Sequence, residues 1–366
     1  MLGELRNWER EAQAFCSDFV GTSPRFRFVL GTGEYAQSIG RAIEIRAYVD
    51  DFTDATEIDG VPVIRSEVLP DNALVVVASM LRPRTALEFL RSREIRSLSY
   101  FAFARFSAIP VKPVAFWPAF ADDYLANRTQ YDLVRGRLAD SPSRELFDNI
   151  VRFRLDGDLG RMKNYHFDPA GQYFEDFLQL GERGETFVDV GSFDGLTSVE
   201  FAARVPNFER IYAFEPSAAN FAAVERNLAP LGLDRIPVFP YGLGDHRHVV
   251  KFKSHLGSSS RESSEGDSEI EVRTLDSLKV QNPTFIKMDI EGAEVAALKG
   301  GLETIRHHAP RLAVSVYHRF DDFWRIPRAI DESGVPYDLF LRHYTEGIDE
   351  TVMFFVPKDR TLLAER

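Results

Sequence analysis

The chain has 366 residues, 44% of them hydrophobic, and its formal net charge at pH 7 is −12. This length and composition are typical of a globular protein, and the negative charge argues against tight binding of nucleic acid, whose phosphates need Lys and Arg. The single cysteine, Cys16, excludes an intramolecular disulfide, and without a membrane-length apolar run or a signal-peptide core we expect a cytoplasmic protein.

Residues 1–108 are predicted to form a small α/β domain. A helix and three strands are predicted at residues 2–19, 26–30, 45–49 and 74–78. The first strand is followed by the glycine turn Gly-Thr-Gly-Glu-Tyr-Ala and the second by Asp50 and Asp51, an arrangement typical of nucleotide-binding Rossmann-like units. A lone glycine fingerprint is weak evidence, and residues 59–70 are predicted as a loop where a helix is usual. A scaffold without ligand is therefore favoured, and ligand binding stays open.

Residues 109–171 are predicted to connect two domains. Residues 109–120 carry three prolines among aromatic residues, which is typical of a linker. Residues 121–154 have helical spacing, with a break and a new helix start at Ser141-Pro142-Ser143. The second domain is then predicted over residues 172–366.

The organising motif of the second domain is Phe-Val-Asp-Val-Gly-Ser-Phe-Asp-Gly at residues 187–195. A strand-like run ends there in two glycines, and a helix is predicted over residues 196–204. Glycines let backbone N–H groups approach a ligand closely, and the new helix presents its positive end. Twenty residues past Gly195, a second strand-like run ends in Glu215, and a carboxylate there suits the two hydroxyls of a ribose. The two signals together indicate a nucleoside cofactor.

The rest of the second domain alternates strands and helices and closes with two consecutive strands. This pattern implies a mostly parallel sheet with an antiparallel C-terminal hairpin. After Glu215, a helix is predicted at residues 218–228 and strands at 237–241, 249–253, 270–272, 311–317, 337–344 and 351–357, while residues 284–294 run from strand to helix. Asp289, Glu291 and His318 follow the ends of two of these strands, where ligands bind in open α/β folds.

In this order, the motifs resemble those of the FkbM-type methyltransferases: the glycine motif, Phe-Glu-Pro, Ile-Lys-Met-Asp-Ile-Glu-Gly-Ala-Glu and Ser-Val-Tyr-His. The resemblance covers residues 172–357. It implies a class I, Rossmann-like sheet that binds S-adenosylmethionine and releases S-adenosylhomocysteine as the product. It also implies that a smaller Rossmann-like α/β domain precedes this sheet, as in longer family members. Phe193 stands where the usual class I motif has its middle glycine, a departure common in the FkbM-type branch.

Cofactor-binding residues are carried over from this resemblance. It implies contacts to the cofactor, its ribose and its adenine from Asp189, Gly191, Asp194, Gly195, Glu215, Gly242 and Asp245. The residues themselves agree for Glu215, because a carboxylate at a strand end accepts hydrogen bonds from two hydroxyls. For Asp189 the alternative is a structural role in ordering the glycine loop. Tyr173 is a candidate to cover the methionine part of the cofactor, with simple packing as the alternative.

The candidate catalytic residues are His318, Asp289 and Glu291. Methyl transfer from a sulfonium is an in-line displacement, and a hydroxyl acceptor must lose a proton, so His318 is the candidate general base. A histidine satisfied by backbone is its alternative. Asp289 and Glu291 are candidates to position the acceptor; a divalent metal held by them and His318 is considered but not favoured. Glu294 and Lys287 are predicted to support the site.

The expected function is O-methylation of a glycan, a sugar or a hydroxylated secondary metabolite. Substrate contacts are expected from residues 254–268, residues 165–173 and Arg342-His343-Tyr344. One alternative is a non-catalytic nucleotide- or nucleotide-sugar-binding protein, which the intact set of polar residues disfavours. Another is an oxidoreductase with nicotinamide in the N-terminal domain, which predicts a hydride-acceptor site that is not apparent. No nucleic-acid or membrane partner is expected.

Overall fold

The computed structural model describes residues 6–114, 117–182, 184–253, 261–262 and 268–358. The chain divides into two compact units. The first comprises Met1–Ala126, Phe147–Pro169 and Tyr344–Asp349, and the second Asn127–Leu146, Ala170–His343 and Glu350–Arg366. The domain limits expected from the sequence, with boundaries after residues 108 and 171, stay a prediction.

The first unit contains a six-stranded sheet among its described residues. Its strands are β1 (Arg27–Leu30), β2 (Ala47–Val49), β3 (Glu57–Ile58), β4 (Val61–Ile64), β5 (Leu74–Val77) and β6 (Arg96–Ser99), in the order β3-β4-β2-β1-β5-β6. All neighbours pair in parallel except β3 with β4. The prediction of a loop over residues 59–70 is wrong, because β4 pairs with β2 there; Pro62 and the short run of the strand obscure its pattern.

Seven helices lie before residue 157 among the described residues. They are α1 (Asn7–Gly21), α2 (Glu34–Ala42), α3 (Pro83–Ser92), α4 (Tyr100–Phe106), α5 (Trp117–Ala126), α6 (Arg128–Arg137) and α7 (Ser141–Asp156). The predicted break at residues 141–143 is confirmed by the start of α7. Cys16 is buried in α1. No helix in the described part of the chain is both long enough and apolar enough to span a membrane.

The strands of the second unit divide between two sheets. In chain order they are β7 (Thr186–Val190), β8 (Arg210–Phe214), β9 (Val238–Phe239), β10 (Tyr241–Leu243), β11 (His248–Lys253), β12 (Arg261–Glu262), β13 (Ser268–Arg273), β14 (Phe285–Met288), β15 (Arg311–Ser315), β16 (Tyr337–His343) and β17 (Thr351–Pro357). The described residues give a seven-stranded sheet, β16-β17-β15-β14-β7-β8-β9, and a four-stranded one, β10-β13-β11-β12.

In the larger sheet, β17 runs antiparallel to both neighbours and the other pairs are parallel, as the sequence predicts. The single strand predicted over residues 237–241 is wrong. Pro240 separates β9, which pairs with β8, from β10, which pairs with β13 in the smaller sheet. Proline lacks the N–H that a continuous ladder needs, which explains the break.

The helices of this part of the chain are α8 (Leu196–Arg204), α9 (Ala218–Leu228), α10 (Leu275–Leu278), α11 (Glu294–Lys299), α12 (Leu302–His308) and α13 (Asp322–Asp331).

Aromatic packing fixes α8, the helix that follows β7. The ring of Phe187 in β7 lies 4.5 Å from that of Phe201 in α8 and 5.1 Å from that of Phe285 in β14. All three side chains are fully buried, so α8 is held against the sheet and its first turn is fixed beside the end of β7.

We expect Phe201→Ala to lower the free energy of unfolding by about 3–5 kcal/mol, because it leaves a cavity between α8 and the sheet. Leu233→Ala is the control: that side chain is 42% exposed, and its loss is expected to cost less than about 0.5 kcal/mol. Urea denaturation followed by circular dichroism measures both. Equal effects of the two substitutions would contradict the packing role of Phe201.

Candidate active site

The glycine turn after β7 packs directly against the end of β14. Gly191 has φ +80°, and a Cβ atom there would lie 1.9 Å from the carbonyl oxygen of Asp289. Only glycine therefore permits this approach. Gly195, with φ +82°, precedes the first residue of α8 and would meet the Cα atom of Val224 at 3.2 Å if it carried a Cβ atom. The two glycines bring the turn close to both β14 and α9.

Between these glycines Ser192 is buried, whereas Phe193 and Asp194 are less enclosed. Phe193 takes the middle glycine's place with φ +53°, and its ring is 39% exposed. The Oδ1 atom of Asp194 accepts a hydrogen bond from the backbone N–H of Leu196 at 3.0 Å, which caps the start of α8. Asp194 is half-buried. The turn thus has a rigid base and a solvent-facing middle.

Glu215 follows β8 and lies beside the glycine turn. Its side-chain oxygens accept hydrogen bonds from the backbone N–H groups of Phe193 and Ser217, both at 2.9 Å, and from Asn220 at 3.4 Å. The residue is only 5% exposed, and burial raises its pKa. A carboxylate has about four acceptor positions, so Glu215 keeps capacity for a ligand hydroxyl.

Asp189 lies behind the turn rather than at its surface. The side chain has no exposed area; its Oδ2 atom accepts a hydrogen bond from Ser198 at 2.7 Å, and its Oδ1 atom lies 3.1 Å from Nζ of Lys287. Lys287 also donates to the carbonyl oxygen of Gly191 at 2.5 Å. Burial lowers the pKa of Lys287, but Asp189 and Asp289 outweigh it, so the lysine stays charged. This geometry favours the structural alternative for Asp189.

His318 lies among carboxylates at the carboxyl end of β15. Its Nδ1 atom is 2.8 Å from Oε1 of Glu294, while its Nε2 atom is 3.3 Å from Oδ1 of Asp289 and 3.8 Å from Oε2 of Glu291. The imidazole is 6% exposed. Burial lowers the pKa of His318, but Glu294 and Asp289 outweigh it and raise it well above 6.5. A protonated imidazole cannot accept a proton, so the predicted base role requires something that offsets these carboxylates.

Two tyrosines hold the Asp289 carboxylate. Its Oδ2 atom accepts a hydrogen bond from the Tyr173 hydroxyl at 2.6 Å, and the Tyr317 hydroxyl lies 3.4 Å from both oxygens. Burial raises the pKa of Asp289, but His318 and Lys287 outweigh it, and the net shift is downward. Tyr173 is buried and contacts the sheet edge through its hydroxyl. Asp289 is thus fixed, ionised and 20% exposed.

Tyr317 and Asp322 belong to this cluster and were not predicted from the sequence. Asp322, the first residue of α13, accepts hydrogen bonds through Oδ2 from the backbone N–H groups of His318 at 3.1 Å and Arg319 at 2.8 Å. Burial, with a contribution from Glu294, raises its pKa to about 7. The sequence signal is Tyr-His followed by an acid at the start of a helix. Glu294 and Lys287 lie behind the site as predicted, contacting His318 and Asp189.

Gly242 and Asp245 lie apart from these clusters. Gly242 is in β10 and pairs with Val272 of the smaller sheet. Asp245 is exposed and lies 2.6 Å from the Nδ1 atom of His246, which lowers its pKa. Within the described part of the chain, no hydrogen bond or ion pair joins either residue to Glu215 or His318. Their adenine contacts stay a prediction.

Of the regions expected to contact substrate, residues 342 and 343 have partners within the fold. Arg342 forms an ion pair with Asp140 at 2.7 Å, and His343 is buried against Thr351, so both are engaged within the fold. The predicted loop at residues 254–268 lies almost wholly outside the described residues.

The N-terminal glycine turn uses its acid internally. Asp50 accepts a hydrogen bond from the Thr32 hydroxyl at 2.8 Å through Oδ2 and from the Phe52 N–H group at 2.9 Å through Oδ1. Asp50, which the sequence suggested as a nucleotide-binding residue, thus uses part of its hydrogen-bonding capacity within its own loop. That this unit is a scaffold without ligand stays a prediction.

The family model described as Methyltransferase FkbM domain matches residues 189–350. The solved structure of methyltransferase FkbM from Methylobacillus flagellatus KT is similar at 23% identity and a TM-score of 0.70, over 95% of this chain and 99% of that chain. No curated protein sequence matches the chain.

Two further solved structures are similar at low scores. Precorrin-6y C5,15-methyltransferase from Geobacter metallireducens GS-15 has 11% identity and a TM-score of 0.32, over 53% of this chain and 93% of that chain. Fibrillarin from Aeropyrum pernix, solved with bound S-adenosyl-L-methionine, has 11% identity and a TM-score of 0.31, over 48% and 67%. Scores this low do not establish a shared fold.

Two features define the Rossmann-like fold of class I methyltransferases: the strand order of the larger sheet, and a glycine turn followed by an acid after the next strand. They confirm the predicted fold class. Residues 189–350 match the model of the FkbM methyltransferase domain family, and this match supports an S-adenosylmethionine-dependent methyltransferase. The resemblance seen in the sequence is confirmed.

We expect Gly191→Ala to lower the free energy of unfolding by at least about 1–3 kcal/mol, since the left-handed backbone alone costs that much outside glycine. The clash with the Asp289 carbonyl adds to this cost, and cofactor binding is lost with the turn. Gly136→Ala in α6 is the control, because a Cβ atom there meets nothing within 4 Å. Its substitution is expected to be neutral or stabilising by up to about 1 kcal/mol. Urea denaturation and calorimetry with S-adenosylmethionine measure these effects.

Proposed function

We propose that the protein transfers the methyl group of S-adenosylmethionine to a hydroxyl oxygen of a glycan, a sugar or a hydroxylated metabolite. The observation that carries this proposal is the polar cluster of Asp289, Glu291 and His318 beside the glycine turn. Carboxylate oxygens accept hydrogen bonds from hydroxyl groups, so this cluster suits a hydroxylated acceptor better than an apolar one.

The proposed cofactor site lies along the glycine turn and the end of β8. Glu215 accepts the ribose hydroxyls, since its carboxylate is already held by two backbone N–H groups. Backbone groups of Gly191, Asp194 and Gly195 line the turn. Gly242 and Asp245 are proposed near the adenine and Tyr173 near the methionine part, with Asp189 supporting the turn from behind.

In the proposed reaction, the acceptor oxygen forms a bond to the methyl carbon while the carbon–sulfur bond breaks. The electron pair of that bond stays on sulfur, so the sulfonium becomes the neutral thioether of S-adenosylhomocysteine. The hydroxyl proton leaves to the cluster of Asp289, Glu291 and His318 or to solvent through it. The cluster thus positions the acceptor and takes part in removing its proton.

The acceptor class and the cellular location are also proposals. The net charge of −12 favours a small-molecule or glycan acceptor over nucleic acid. The cytoplasm is proposed from the sequence alone.

We expect Glu215→Gln to weaken binding of S-adenosylmethionine by about 10- to 100-fold, from the loss of hydrogen bonds to a charged group worth about 1.5–3 kcal/mol. Because the raised pKa makes Glu215 lose its charge at a higher pH than an exposed glutamate, wild-type affinity should begin to fall, as the pH is lowered, before the pH at which an exposed glutamate titrates. The variant should show little of this dependence. Isothermal titration calorimetry across the pH range measures both.

The control for Glu215 is Glu200→Gln on α8, which removes an exposed acid paired with Arg204. Its affinity and pH dependence should match wild type. Unchanged affinity in Glu215→Gln would contradict the ribose-binding role, and no binding by the wild-type protein would overturn the proposed cofactor site.

We expect His318→Ala to leave the affinity for S-adenosylmethionine within about threefold of wild type while slowing methyl transfer by about 10²- to 10⁴-fold. The reason is that His318 lies among the acceptor-binding carboxylates, away from Glu215. Transfer is followed with methyl-labelled S-adenosylmethionine against a panel of glycans and hydroxylated small molecules. A variant that binds and transfers like wild type would contradict a catalytic role for this cluster.

A further inference from the structure

We propose that Asp289, Glu291 and His318 bind one divalent metal ion, with Glu294 fixing the orientation of the His318 ring. We further propose that this ion holds the acceptor oxygen, a second step that rests on the proposed function. The sequence alone does not favour an ion, because an Asp-x-Glu pair and a distant histidine are a sparse pattern. The side-chain geometry supports it.

The Nε2 atom of His318 is the first observation. It is buried, and no hydrogen bond to it is formed within the described residues. It nevertheless lies 3.3 Å from Oδ1 of Asp289 and 3.8 Å from Oε2 of Glu291, without the alignment of a hydrogen bond. Two ligand atoms that are each about 2.1 Å from one ion at right angles lie about 3 Å apart. The distance from Nε2 to the Asp289 oxygen is thus close to that between neighbouring ligands of a single ion, and the Glu291 oxygen lies somewhat farther away.

The opposite nitrogen of the ring is held as it is in metal-binding histidines. The Nδ1 atom is 2.8 Å from Oε1 of Glu294, and that oxygen also accepts the backbone N–H group of Ile290 at 2.9 Å. A histidine that ligates a metal almost always donates its other N–H group to a carboxylate, a carbonyl or water. With Nδ1 as the donor to Glu294, the lone pair of Nε2 faces Asp289 and Glu291.

A second buried atom is also unsatisfied. The Oε2 atom of Glu294 has no hydrogen-bond partner within the described residues, although Glu294 is only 1% exposed. Ligand atoms of Asp289, Glu294 and His318 all lie within 4.8 Å of one another. Glu294 thus keeps an unused acceptor atom beside the His318 ring that it orients.

The balance of charge points the same way. The carboxylates of Asp289, Glu291 and Glu294 surround His318, and the ammonium of Lys287 is already paired with Asp189. Buried charges need opposite charges or metal ions to be stable. A dication would offset the excess of negative charge around His318. Donors that are mostly carboxylate oxygens with one imidazole suit Mg²⁺ or Mn²⁺.

The position of the ion explains what it does. Asp289 is held on its far side by Tyr173 and Tyr317 and adjoins Gly191 of the cofactor turn. An ion bound to Asp289 therefore lies at the same edge of the sheet as the proposed cofactor. There it can bind the acceptor oxygen and make its proton easier to lose, the Lewis-acid role of catalytic metals. His318 would then be a ligand rather than the base.

The test uses Mn²⁺ as the probe, added to the whole chain after treatment with a chelator. Electron paramagnetic resonance measures the concentration of the free ion. Wild type should bind one Mn²⁺. Glu291→Gln should bind it at least about 10-fold more weakly, and Glu294→Gln about 10- to 100-fold more weakly through the loss of the ring's partner. Glu303→Gln, which removes an exposed acid paired with Arg306 on α12, should bind like wild type. Thermal melts by circular dichroism establish that each variant is folded.

Absence of Mn²⁺ binding by wild type, or equal binding by all four proteins, overturns the ion site. Calorimetry with S-adenosylmethionine in the presence of chelator separates this outcome from failure of the proposed function. Cofactor binding without any Mn²⁺ site rejects the ion alone. A Mn²⁺ site lost in Glu291→Gln, in a protein that does not bind the cofactor, rejects the proposed function and keeps the ion.

Discussion

The buried ion pair of Lys287 and Asp189 is the contact on which the rest of the site depends. Lys287 lies in β14, Asp189 in β7, and the ammonium also binds the carbonyl of Gly191, so one side chain joins two strands and the cofactor turn. Removing one partner of a buried pair costs about 3–5 kcal/mol, because the other charge is left in the interior. Gly191 also touches the backbone of Asp289. The position of the glycine turn and that of the Asp289, Glu291 and His318 cluster are therefore set together.

The acids of the site are held by different kinds of donor. Asp189 is neutralised by a cation, Glu215 is held by backbone N–H groups, and Asp289 is held mainly by phenol hydroxyls. Neutral donors orient a carboxylate and leave its charge in place. The edge of the sheet therefore keeps a negative field after its hydrogen bonds are satisfied, and this field is what the proposed ion, the acceptor and the cofactor meet on entering.

Much of this arrangement could be predicted from local pattern. The helix over residues 196–204, the helix over residues 218–228 and the closing hairpin have strong periodicity, and the positions of Glu215 and Asp289 after strands follow from it. What could not be predicted depends on short or interrupted runs and on tertiary contacts. Proline hides β4 and splits β9 from β10, while the partners of Asp189 and His318 come from distant segments that only folding brings together. The enclosure of Asp189 likewise follows from packing and not from its motif.

The negative field at this edge also bears on turnover. S-adenosylmethionine carries a positive sulfur before the reaction, and S-adenosylhomocysteine carries a neutral one after it, whereas the proposed ribose contacts at Glu215 are the same for both. In the proposed site, carboxylates near the sulfur attract the first form more than the second, so methyl transfer itself removes part of the binding energy. The same side chains that gather the reactants thus weaken the hold on the spent cofactor and favour its exchange.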